Sequence, residues 1–158
     1  MTDIVPEHVA PCGLYCGVCL FRRATEENDL AFLERFAKMA GRQLPAIAGL
    51  PATELLCDGC LSARRMPYCR ECAIRDCTQR KGLPGCHECA DFPCALVDAF
   101  PIDVGRKVML RAVPYRRAHG TEQWIAAEEE RYRCPECGHR LSRGARQCGR
   151  CKALVDVD

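Results

Sequence analysis

Fifteen of the 158 residues are cysteine, and no other feature limits so sharply what this chain can fold into. A short chain this rich in thiols is either a disulfide-stapled secreted scaffold or a set of metal sites. The odd count favours metal. The segment before the first cysteine carries acids at Asp3 and Glu7 and no apolar run long enough for a signal-peptide core or a membrane span. These observations predict a cytoplasmic protein with no membrane segment, in which thiols stay reduced and such patterns serve as ligands. Every cysteine is then a candidate metal ligand: Cys12, Cys16, Cys19, Cys57, Cys60, Cys69, Cys72, Cys77, Cys86, Cys89 and Cys94 in a first group, and Cys134, Cys137, Cys148 and Cys151 in a second.

The two groups divide the chain. Residues 1–100 read as a Cys-rich metal-binding domain, 101–131 as a helical connector and 132–158 as a zinc ribbon. The expected fold class is small, metal-stabilised and mostly α, with Cys-rich loops and short helices and a C-terminal β zinc ribbon. Domains of this size bury little apolar surface, and a structural zinc site supplies roughly 10–16 kcal/mol of binding free energy that appears as folding free energy.

The clearest ligand pattern is Cys134-Pro-Glu-Cys137-Gly-His, ten residues, then Cys148-Gly-Arg-Cys151. A C-x2-C turn directs both sulfurs to one point about 2.3 Å away, and two such turns close a tetrahedron. Gly138 and Gly149 supply the conformational freedom these turns need. A four-thiolate zinc site is predicted here, with rubredoxin-type iron as the alternative. His139 beside the first turn reads as a surface histidine.

In the first group, Cys12, Cys16 and Cys19 follow C-x3-C-x2-C, and Cys57 and Cys60 flank Asp58-Gly59. The segments Cys69–Cys77 and Cys86–Cys94 share C-x-E-C-A-x3-C, which predicts two similar elements that present ligands alike. Eleven thiols do not fill three four-ligand sites unless His87 joins them. Two zinc sites with three cysteines left over, or a [4Fe-4S] cluster on Cys12, Cys16 and Cys19, fit as well. Val18 stands where radical S-adenosylmethionine enzymes carry an aromatic, and the chain is too short for their barrel. Zinc and iron–sulfur clusters both take thiolates, so the first group is assigned zinc or an iron–sulfur cluster. Arg64, Arg65 and Arg75 are read as charge partners of thiolate sites, the alternative being activation of a free cysteine.

Residues 25–40 predict one amphipathic helix capped by Thr25 and stopped by Gly41, with Leu30, Leu33, Phe36 or Ala37, and Ala40 at helical spacing. QLPAIAGLPATEL reads as a connector. A second helix is expected around Val104, Val108 and Leu110, ending before Pro114. A third, beginning at Thr121, places Trp124, Ile125 and Glu128 near one face.

The motifs CGLYCGVC, CDGC, CRECAIRDC, Lys81-Gly82 and CHECADFPC, from about Cys12 to Leu96, together resemble a cysteine-rich prokaryotic family, domain of unknown function 3795. The tail GTEQWIAAEEERYRCPECG is similar to an extension of some members, a helix feeding a zinc ribbon. The resemblance implies a cytoplasmic metal-binding protein and assigns no reaction.

Functionally, the sequence predicts a metal-binding module, zinc foremost, that acts as an interaction or adaptor piece for an unknown macromolecular partner. The alternative is an iron–sulfur or thiol redox and sulfur-handling protein using the Cys12 to Cys94 cluster. His8 and His119 lack a visible catalytic partner motif, and no site residue is assigned to catalysis. Metal-bound thiolates turn the formal charge of +2 mildly negative, against a nucleic-acid binder acting through overall charge. Locally, Arg131, Arg133, Arg140, Arg143, Arg146, Arg150 and Lys152 face a single acid, Glu136, making the ribbon a candidate basic surface for a polyanion. Oligomeric state is not encoded in any motif.

Overall fold

The computed structural model describes residues 4–40 and 44–158. Six α-helices and several single 3-10 turns account for the regular structure, and among the described residues there is no β-strand. The mostly helical fold agrees with the sequence.

The predicted helix over 25–40 is two helices, α1 (Leu20–Glu26) and α2 (Leu30–Ala40). Asn28, at φ 53°, turns the chain between them, a conformation asparagine tolerates better than most residues. Thr25 caps nothing. Its hydroxyl lies inside α1, donates to the Phe21 carbonyl at 2.8 Å and accepts the Cys57 N–H at 2.9 Å. Asp29 performs the capping, since its Oδ1 accepts from the Phe32 N–H at 2.9 Å. The apolar register nevertheless holds, because Leu33 and Ala37 are buried. Gly41, the predicted stop, lies outside the described residues.

The connector forms 3-10 turns at Pro45–Ile47 and Ala52–Leu55, which drive Ile47 and Leu55 into one cluster with Leu33, Ala24, Cys57 and Met66. Short helices follow at α3 (Pro67–Arg70), α4 (Ala73–Arg80) and α5 (Ala95–Asp98), joined by turns.

The long helix α6 (Asp103–Arg131) departs most from expectation. Pro114 does not end it. The proline is exposed, and so is Leu110, whose carbonyl loses its helical donor, so water can satisfy that carbonyl and the helix continues. The break comes at Gly120, with φ 83° and ψ 171°, and the helix resumes at Thr121. Beyond it Trp124, Ile125 and Glu128 are all buried on one face, as their spacing predicts. Glu128 is ion-paired with Arg111, one of whose contacts is 3.3 Å, so the buried carboxylate has its counter-charge across the kink.

This helix is the axis of the fold. One of its faces packs Val108, Ala112, Trp124 and Ile125 against Tyr15 and Val18 from the first group and against Tyr132, Cys134, Leu141, Cys148 and Val155 from the terminal segment. Another packs Met109 and Val113 against Cys12, Ile74, Cys86, Phe92 and Val97. The loop bearing Cys12 approaches so closely that a Cβ on Gly13, at φ 88°, would meet the Val113 side chain at 2.8 Å. The predicted terminal β-ribbon reduces to two isolated antiparallel bridges, Arg133 with Arg140 and Gln147 with Leu154. Each closes one C-x2-C turn, and one further backbone hydrogen bond lies outside each, Leu141 N–H to Tyr132 at 2.7 Å and Val155 N–H to Arg146 at 3.0 Å. No described helix is long and apolar enough to cross a membrane.

Candidate metal centres

The terminal cysteines are set by two similar turns. In the first, the Cys134 N–H donates to the His139 carbonyl at 2.9 Å and Gly138 N–H to the Cys134 carbonyl at 2.8 Å. In the second, Cys148 N–H donates to Ala153 at 2.9 Å and Lys152 N–H to Cys148 at 3.0 Å. The left-handed residue follows the second cysteine of each pair, Gly138 at φ 67° and Lys152 at φ 65°, so Gly149 is not the second turn's special glycine.

The result is a cage of sulfur. Cys134 and Cys151 Sγ lie 3.6 Å apart, Cys137 and Cys148 Sγ 3.7 Å, and all four sulfurs fall within 4.8 Å of one another. A metal bound by four thiolates at about 2.3 Å requires a sulfur–sulfur edge of about 3.8 Å; two edges already match it and the others lie within 4.8 Å, so these four could hold an ion. Backbone N–H groups of Cys151 and Arg150 lower the pKa of Cys148, whereas burial and the neighbouring thiols raise that of Cys151, so without an ion the two thiols share one negative charge unequally. Cys134 and Cys148 are buried under the aromatic core, whereas Cys151 faces solvent. His139 is not part of the cage.

The first group is arranged differently. Cys12 lies within electrostatic reach of Cys60, Cys72 and Cys86, and its burial pushes the thiol up to about 12. Cys69 is near Cys19, Cys57, Cys60 and Cys72, and Cys16 is near Cys19 and Cys60. Cys86 neighbours Cys89, Cys94, Cys77 and Cys72, and burial raises it to about 11. All eleven are thus linked in one electrostatic network of thiols. Among the described residues, however, the terminal quartet is the one set of three or more Cys, His, Asp or Glu whose ligand atoms close to 4.8 Å. His87 turns to Glu88, whose Oε1 is 3.7 Å away, and to Arg116, and burial lowers its pKa.

The two C-x-E-C-A-x3-C segments do not present their cysteines alike. In the first, α4 begins immediately after Cys72 and carries Cys77 inside it. In the second, Pro93 is disfavoured in a continuing helix, a turn occupies the same stretch, and α5 begins only after Cys94. Cys77 therefore joins Cys86, Cys89 and Cys94 of the second segment around one cavity of about 220 Å³.

Arginines organise these loops. Buried Arg75 donates to the Cys69 and Arg70 carbonyls at 2.7 and 2.8 Å and reaches Cys60, whose thiol is nonetheless raised by burial. Arg64 is taken up by Asp58, and Arg65 reaches only the Cys60 carbonyl, at 3.5 Å. The activated free cysteine considered from sequence has no support at Cys60. Arg117 went unrecognised in the sequence, and Arg143 was read there only as part of the basic ribbon surface. Arg117 donates to the His87 and Cys89 carbonyls at 2.8 and 2.9 Å, fixing that loop to α6. Arg143 donates to the Tyr15 carbonyl at 2.8 Å, with its Nε shut off from solvent and Cys19, Cys16 and Cys12 nearby. Their signal is weak, since an arginine facing a backbone carbonyl has no sequence signature.

A family model described as a protein of unknown function, DUF3795, matches residues 8–99, more than half of the chain. The chain belongs to the DUF3795 family. The match begins four residues before Cys12 and takes in all eleven cysteines of the first group, so the thiol network belongs to the DUF3795 segment and the four-sulfur cage lies beyond it. Comparison with curated proteins and with solved structures finds no match.

Proposed function

We propose that this DUF3795 protein is a metal-stabilised adaptor, with one zinc ion held by Cys134, Cys137, Cys148 and Cys151, further thiolate-bound metal among the cysteines from Cys12 to Cys94, and a macromolecular partner. The observation that carries the reading is the four-sulfur cage with edges of 3.6 and 3.7 Å, which matches a tetrahedral thiolate ion. Borderline-soft zinc suits such a closed cage, and four protein ligands leave no position for a substrate, so the ion's role is to hold structure. Thiol pairs from two distant turns converge there only if the last 25 or so residues are tied together, which is the coupling of metal binding to folding that structural zinc provides.

The basic ribbon surface gives little support to a polyanion partner. Arg140 and Arg143 point at the Gly17 and Tyr15 carbonyls, and Arg146 pairs with Asp156 at 3.4 Å. An adaptor role through a protein partner fits these commitments better.

The test uses the single tryptophan. Trp124 packs in the cluster that contains Cys134 and Cys148, so stripping zinc from the full chain with a strong chelator under reducing conditions is expected to shift its emission to the red, with recovery on adding zinc. An emission spectrum indifferent to complete metal removal would refute the structural-zinc reading.

A further inference from the structure

We propose that Cys77, Cys86, Cys89 and Cys94 hold a cubane iron–sulfur cluster seated in the cavity they line. This rests on the wider reading that the first-group cysteines are metal ligands, and specifies which four and which inorganic centre.

The first argument is size. The cavity of about 220 Å³ has room for an inorganic core larger than a single ion. The terminal quartet shows what closure on one ion looks like, with all four sulfurs within 4.8 Å, and the four around the cavity do not meet that limit. Ligands of a cubane cluster stand farther apart because each sulfur binds a different iron and the inorganic core fills the centre.

The second argument is the lining. Besides the four thiols, buried Ile74 and Phe92 supply an apolar inner wall, while Lys81, Asp91 and Leu96 at the exposed rim leave the cavity open to solvent on one side. Four cysteines are the usual complement of such a centre.

The third is charge. The Lys81 ammonium lies 3.5 Å from Cys89 Sγ and is held at the rim by Asp91 at 2.6 Å. An N–H···S bond from a cation offsets the negative charge of four thiolates on a cluster. Arg117, bonded to the His87 and Cys89 carbonyls, fixes the loop that carries Cys86 and Cys89 from the other side. A loop pinned in this way is held in place against α6.

The experiment takes the full chain, purified anaerobically and reconstituted with ferrous iron and sulfide. Wild type is expected to contain about 4 iron and about 4 acid-labile sulfide per chain, with a broad absorption band near about 400 nm. Cys94→Ser, at a half-exposed ligand position, is expected to lose that iron and band while keeping the zinc of the terminal cage. Lys81→Met, at an exposed position, is expected to keep the cluster and lower its reduction potential, because the hydrogen bond and charge that favour the reduced form are gone. A colourless protein that instead carries zinc, one equivalent of it lost in Cys94→Ser, overturns the cluster and leaves the thiolate-metal reading standing. A cluster insensitive to Cys94→Ser, or a potential unmoved by Lys81→Met, overturns the assignment to this cavity. Metal confined to the terminal cage defeats both readings.

Discussion

Arg143 and Arg146 show how one residue type takes opposite roles three positions apart. Sequence alone grouped both with Arg140 as a basic face. The half-buried Arg143 instead supplies the donor for the carbonyl of buried Tyr15 and carries its charge toward the first-group thiols, whereas Arg146 and its partner Asp156 are 79% and 85% exposed. Arg143→Ser is expected to cost about 1–3 kcal/mol in urea unfolding, the penalty for an unpaired buried acceptor, and Arg146→Ser to stay within about 0.5 kcal/mol. Equal effects would place Arg143 in solvent. His8 gives a pH prediction at the same scale. Burial and the Arg22 guanidinium, whose Nε donates to His8 Nε2 at 2.9 Å, lower its pKa from 6.5 against the opposing pull of Glu26, Glu7 and the Asp58 backbone. The fold thus favours the neutral ring. Its contribution is fully present above the unfolded pKa and is lost as pH falls from there through the lowered folded value. Stability measured from about pH 7.5 down to about 5 is expected to fall more steeply for wild type than for His8→Gln, thiolate protonation being common to both. Parallel profiles would show that His8 is as free as in the unfolded chain.

Among the elements, legibility followed periodicity. The buried positions Leu33 and Ala37 of α2, and Trp124, Ile125 and Glu128 of α6, were readable because burial on one face imposes helical spacing. Element ends were not. Thr25 has the chemistry of a cap but is needed inside α1 to bind Cys57, a partner 32 residues away that no local window contains. Pro114 has the chemistry of a stop, yet its exposure lets water take the freed Leu110 carbonyl and so lowers the penalty, while Gly120 carries the break through a backbone conformation open to glycine alone. The two C-x-E-C-A-x3-C segments diverge for a similar reason: Pro93 replaces helix with turn in the second. Gly120→Ala has open space for its methyl, so its cost is purely conformational, about 1–3 kcal/mol in chemical unfolding. Gly149→Ala, also unobstructed and without positive φ, is expected to be near neutral. A neutral Gly120→Ala would mean that α6 runs straight through.

For the whole molecule, the sequence divided the chain at its two cysteine groups, and which four cysteines gather in the terminal cage was legible from two C-x2-C pairs. The packing between the groups was not, because nothing local announces that Tyr15 and Val18 share a cluster with Tyr132 and Cys148. That shared core also changes what the terminal segment can do alone: cut away, it would lose Tyr15, Val18, Val108 and Ala112 from the cluster that shields Cys134 and Cys148. The proposed ion and this core would act together, so the ion is best counted in the full chain. Native mass spectrometry of zinc-supplied protein, compared with its Cys137→Ser, Cys151→Ser double variant, tests the central claim most directly. The account predicts that the wild type carries one more zinc per chain than the variant, and equal zinc in the two proteins would contradict it.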